Sequence, residues 1–150
     1  MTTTHTDSPE ETTALGRRLS SILKPGDVVL LGGRLGTGKT LLTAGIAAGL
    51  GIPDPISSPT FIIARVYEDG FLPLVHADVY RLSSMLEFED LDLEETAAQG
   101  VLVIEWGEAI EDGVSPDRLV IEIEMDGETG RTFTFHQHGS WKARSLEGVV

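Results

Sequence analysis

Gly33, Gly38, Lys39 and Thr40 occupy every fixed position of the spacing G-x-x-x-x-G-K-[ST] over residues 33–40. That set suits one ligand class, a chain of phosphates. Glycines at 33, 36 and 38 let the backbone wrap tightly, in conformations closed to other residues. The loop N–H groups, from Leu35, Gly36 and Thr37 through to Leu41, can then converge on phosphate oxygens where the loop opens into a helix, and the helix dipole adds to the attraction. Lys39 supplies a point positive charge for the β- and γ-phosphates, and the Thr40 hydroxyl can join a Mg²⁺ shell. The bland alternative is a glycine-rich turn with a lone lysine.

A phosphate cradle alone does not hydrolyse a nucleotide. The chemistry also needs a metal held near the β- and γ-phosphates and a group that positions water. An apolar strand ending in a carboxylate serves this purpose, and two segments qualify. Residues 101–104 end in Glu105, which is expected to reach Mg²⁺ directly or through water. Residues 72–77 end less cleanly in Asp78, expected to orient water or a metal-bound water. Either acid could instead be a strand-end carboxylate with a structural partner. Thr60 lies in a small-polar loop after Pro59 that can reach a γ-phosphate as a switch threonine; the alternative is a turn leading into strand packing. Arg81 and Arg131 are candidate charge partners for phosphate or protein, and Trp106 stacks on a partner, caps the site or packs in the core. His76 is read as packed near the site, His136 and His138 as an exposed strand pair, and Glu108 as either facing the site or a solvated loop residue.

The flanking elements must place these groups. Residues 27–31 read as a buried parallel strand and 41–50 as the helix after the loop, which is the order that the motif requires. Ser8-Pro9-Glu10-Glu11 marks a helix start with a capping box, followed by Leu15, Leu19, Ile22 and Leu23 at helical spacing over 9–23. Thr12 and Thr13 in that helix read as solvent-facing. Residues 61–67 and 72–78 read as a β-hairpin, 83–99 as an acidic helix and 101–104 as a buried strand. Residues 119–124 and 131–135 alternate around a turn and read as an antiparallel pair at the sheet's edge. Residues 1–7 read as frayed, and 140–150 as a tail without clear structure. The fold expected is α/β, three-layered, with a mixed, mainly parallel central sheet, a C-terminal antiparallel hairpin and the site beyond the carboxyl ends of the parallel strands.

The 150 residues suit one domain, and 41% apolar with 23% charged residues are ordinary globular values. With no cysteine there is no disulfide framework, thiolate zinc site or cysteine nucleophile. No apolar run approaches a membrane span and the polar start is unlike a signal peptide, so a cytoplasmic protein is expected. A net charge of −13 argues against this chain gripping a nucleic-acid backbone by itself and permits docking on a basic partner.

Four blocks in order, Leu31 to Thr40, Ser58-Pro59-Thr60-Phe61, His76-Ala77-Asp78-Val79-Tyr80-Arg81-Leu82 and Ile104-Glu105-Trp106-Gly107-Glu108, resemble the TsaE (YjeE) family of small P-loop ATPases. The family acts in bacterial synthesis of N6-threonylcarbamoyladenosine in tRNA. The resemblance implies the P-loop NTPase fold. It also implies ATP phosphates on Lys39 and the loop backbone, Mg²⁺ on Thr40 and Glu105, Asp78 in support of hydrolysis, and Thr60 in a switch-like loop. It sets Thr12 and Arg131 near the base or ribose. It implies the partners TsaD and TsaB, which hold the tRNA and perform the transfer that ATP hydrolysis resets. Arg34, Leu41, Ala77 and Gly107 depart from the residues common in the family, and none of them removes a phosphate or metal group. Two other functions stay open: a small P-loop kinase, although no arginine-rich lid stretch is visible, and a nucleotide-gated binding module without significant turnover.

Overall fold

The computed structural model describes residues 1–34, 36–58, 64–79, 85–106 and 113–150, the side chains of 85 and 86 excepted. Leu35, Thr60, Arg81 and Glu108, singled out above, lie outside the described residues. The described strands are β1 (Thr2–Thr6), β2 (Val28–Gly32), β3 (Ala64–Tyr67), β4 (Leu74–Asp78), β5 (Val101–Glu105), β6 (Arg118–Asp126) and β7 (Gly130–His138). They form one sheet in the order β1-β7-β6-β2-β5-β4-β3. Neighbours β6, β2, β5 and β4 run parallel, while β1–β7, β7–β6 and β4–β3 pair antiparallel. The sheet is therefore mixed and mainly parallel, with β2 at its centre.

Each residue of β2, β4 and β5 is buried, because helices cover both faces there and the continuous apolar runs suit that setting. On one face, α1 (Pro9–Ser20) and α2 (Lys39–Gly49) pack over Val29, Leu31, Leu74, Val101 and Val103. On the other, Phe88 of α3 (Met85–Asp90) and Leu93 of α4 (Leu93–Thr96) pack against Val28, Leu30, Val75, Leu102 and Ile104.

Helix α1 begins as its sequence demands. The Ser8 hydroxyl accepts from the Glu11 amide at 3.2 Å, Pro9 opens the helix, and the Glu11 carboxylate accepts from the Asp7 amide at 2.8 Å. It then crosses α2 at glycine contacts: a Cβ on Gly45 would stand 2.3 Å from the Thr13 carbonyl oxygen, and one on Gly16 would stand 2.5 Å from that of Leu42. Backbone meets backbone here, so α1 is held tightly on the helix that follows the phosphate loop.

Four expectations change. The start of the chain is not frayed: β1 pairs with β7 from Thr2↔Phe135 to Thr6↔Arg131, so its polar residues meet ladder partners. The hairpin β6–β7 is not the sheet's edge, because β6 also pairs with β2 and β1 closes that side. Where one acidic helix is expected over 83–99, the described residues from 85 onward form two short helices. The break is Asp92, which adopts φ 49°, a left-handed conformation that aspartate tolerates better than most residues. The tail is structured: a short 3₁₀ helix, Gly139–Ala143, buries Trp141, and Leu146 and Val149 join the same core.

Candidate active site

The carboxyl ends of β2, β4 and β5 meet in register, with Leu31 opposite Glu105 and Asp78 opposite Glu105. Strand β2 runs into the glycine loop and the loop into α2, whose first residue is Lys39. Gly33 at φ 139° and Gly38 at φ 103° take conformations that side-chain-bearing residues rarely reach. The loop curls around the lysine. Lys39 is 4% exposed, and its ammonium donates to the Gly33 carbonyl at 2.6 Å and the Arg34 carbonyl at 3.0 Å. The ammonium also lies 3.8 Å from the centroid of the Trp106 ring. Trp106 adopts φ 66°, a strained conformation for a bulky residue, at the point where β5 ends.

The Thr40 hydroxyl stands 3.2 Å from Glu105 Oε2 and 3.5 Å from Oε1. A cavity of about 340 Å³ opens over these groups, and its walls include Gly38, Lys39, Thr40, Ser58, Glu105 and Trp106, with Gly36 and Leu41 beside them. The motif residues and the β5 acid, 65 positions apart, are thus assembled at one opening. Two oxygens on one Mg²⁺ ion lie about 3 Å apart when each bond is about 2.05 Å, so the Thr40–Glu105 spacing fits such an ion, and the hard oxygen donors fit its chemistry. Among the described residues no group of three or more His, Asp or Glu side chains is placed to hold a metal ion by itself.

Asp78 is 5% exposed and adjacent to Glu105, but it does not line the cavity. Arg131 meets the protein through two of its three guanidinium nitrogens. Its Nε donates to the Thr37 carbonyl at 3.0 Å, and its Nη1 donates to the Gly130 carbonyl at 2.7 Å and the Glu128 carbonyl at 3.3 Å. It braces the phosphate loop from the β6–β7 turn. Thr12 is not solvent-facing: it is 1% exposed and its hydroxyl meets that of Thr6 at 2.8 Å. Thr12 and Arg131 both line a second cavity of about 100 Å³, which shares Gly38 and Leu41 with the first and includes Thr37 and Glu128.

Two contacts escaped the sequence reading. The Trp106 ring over Lys39 was signalled only by its place next to Glu105. His76 Nε2 lies 2.5 Å from Glu105 Oε2, and its signal was a histidine in an otherwise apolar strand, two residues before an acid. The sequence reading set His76 near the site without this partner.

A family model described as Threonylcarbamoyl adenosine biosynthesis protein TsaE matches residues 6–133. The chain is 46% identical over 136 residues to the tRNA threonylcarbamoyladenosine biosynthesis protein TsaE of Bacillus subtilis, spanning 90% of this chain and 85% of that one. It is 51% identical over 114 residues to the protein of the same name from Streptomyces coelicolor, spanning 73% and 76%. The crystal structure of Bacillus subtilis YdiB superposes with a TM-score of 0.76 at 39% identity, covering 92% of this chain and 86% of that one. With a P-loop NTPase architecture and these relatives across most of its length, the chain belongs to the TsaE family.

Proposed function

We propose that this chain is the Mg²⁺-dependent ATP-binding and hydrolysing component of N6-threonylcarbamoyladenosine synthesis in tRNA, working in the cytoplasm with TsaD and TsaB. One observation carries the proposal: the Thr40 hydroxyl and the Glu105 carboxylate approach to 3.2 Å at the mouth of a loop that encloses a buried lysine. Lys39 would exchange its carbonyl partners for phosphate oxygens, and the loop amides would hold the rest of the phosphate chain. Thr40 and Glu105 would hold the metal, which when bound neutralises charge on the β- and γ-phosphates. Asp78, one strand over, would orient the attacking water, and Thr60 would contact the γ-phosphate. The cavity between Thr12 and Arg131 supports a base or ribose there. A net charge of −13 suits a subunit that docks on basic partners and leaves the tRNA to them.

The test is ATP turnover by the purified chain, alone and with TsaD, TsaB and tRNA. Phosphate release that rises with the partners is expected. A stoichiometric phosphorylated small molecule would show a kinase instead. Partner-stimulated function that persists in Glu105→Ala would reduce the chain to a nucleotide-gated binding module.

A further inference from the structure

His76 is 0% exposed and lies between Leu74 and Asp78 in β4. Strand alternation puts it on the same face as Leu74, which packs with Val101 and Val103. An aliphatic side chain would fill this position without burying polar atoms. The imidazole instead brings two nitrogens into an apolar wall. Nε2 meets Glu105 Oε2 at 2.5 Å, and Nδ1 has no hydrogen-bond partner among the described residues. The ring therefore carries its hydrogen on Nε2, because a bare buried lone pair costs less than a buried N–H with no acceptor. The hydrogen bond runs from His76 to the carboxylate.

Glu105 Oε2 thus accepts from His76 and lies within reach of the Thr40 hydroxyl, whereas Oε1 has only the 3.5 Å approach of that hydroxyl among the described residues. We infer that His76 is a positioning residue: its Nε2–H fixes the rotamer of Glu105 and so holds the carboxylate toward the Thr40 hydroxyl and the metal. The inference rests on the reading of Glu105 as a metal ligand. The physical need is clear, since Mg²⁺ demands near-ideal octahedral geometry while a glutamate has three rotatable bonds. Hydrogen bonds to ligating groups from neighbouring residues commonly set metal affinity.

The experiment measures Mn²⁺ affinity of the full chain by electron paramagnetic resonance with a saturating non-hydrolysable ATP analogue, alongside analogue affinity in metal-free buffer. His76→Leu is expected to weaken Mn²⁺ binding by about 10–100-fold and to leave metal-free analogue binding unchanged. His76→Gln, whose amide can donate from a similar place, is expected to recover most of the loss. Should His76→Leu fail to fold, His76→Asn, whose amide stops short of Glu105, replaces it in the comparison with His76→Gln. Wild-type Mn²⁺ affinity in the leucine or asparagine variant, or equal loss in the glutamine variant, overturns the inference. Glu105→Gln is the control: unchanged Mn²⁺ affinity there removes the metal reading itself, whereas a weakened control beside an unaffected His76→Leu removes only the role of His76.

Discussion

Lys39 is a buried cation stabilised by two carbonyl oxygens and an aromatic face, all of which it must partly give up to meet a phosphate. A cation over an aromatic ring is stabilised by about 0.5–2 kcal/mol, small beside the charge-assisted bonds that several phosphate oxygens offer. Nucleotide binding should therefore draw the ammonium off the Trp106 ring. Of the two tryptophans, Trp141 is 1% exposed and remote from the loop, so a change in tryptophan emission on adding ADP should vanish in Trp106→Phe. An unaltered change in that variant would place the reporter elsewhere. Glu105→Ala should abolish turnover while leaving metal-free nucleotide affinity near wild type, because Glu105 adjoins the Thr40 hydroxyl, whereas the proposal gives the phosphates to Lys39 and the loop amides. Loss of metal-free binding in Glu105→Ala would contradict this division of labour.

At the scale of elements, the site depends on how α1 and α2 cross. Gly45→Ala drives a methyl group into the Thr13 carbonyl, which neither helix can avoid without moving apart. A loss of about 1–3 kcal/mol is expected, read as a lower midpoint in denaturant unfolding, together with weaker nucleotide binding as Thr12 leaves the second cavity. A variant of unchanged stability would mean that the helices slide freely. Most of these elements were legible in the sequence. The buried strands show as unbroken apolar runs, and the first helix shows in its cap and leucine spacing. The break at Asp92 was not legible, since the acidic segment around it keeps a helical pattern and only the local backbone turns left-handed.

Across the whole molecule, the end of the chain is tied to its beginning. The Arg144 guanidinium donates to both oxygens of Asp27 at 2.6 Å and to the Ile22 carbonyl at 3.2 Å, and its plane lies 4.0 Å from the Trp141 ring. Gln137 donates to the carbonyls of Trp141 and Arg144, and Arg18 donates to that of Val149. Asp27 is 6% exposed and stands just before β2, so the tail braces the strand that presents the phosphate loop. Removing one partner of such a buried pair costs about 3–5 kcal/mol, and since the Arg144 side chain is 19% exposed the lower end is expected for Arg144→Ala. Thermal unfolding measures it; an unchanged midpoint would show that the tail is not part of the folded unit. The tail lies past residue 133, where the match to the family model ends.

By itself the sequence determined the phosphate loop, the two candidate acids, the order of strands and helices around them, and the family resemblance. These rest on residue types at short spacings, where local backbone chemistry leaves few alternatives. Tertiary structure alone decided three things. It paired a threonine-rich start as the edge strand, because ladder bonding can order a segment with little apolar pattern. It set the β6–β7 hairpin inside the sheet, because β6 pairs in parallel with β2. It aimed a buried histidine at Glu105 from 29 positions away, a contact that depends on how neighbouring strands register and leaves no trace in local spacing.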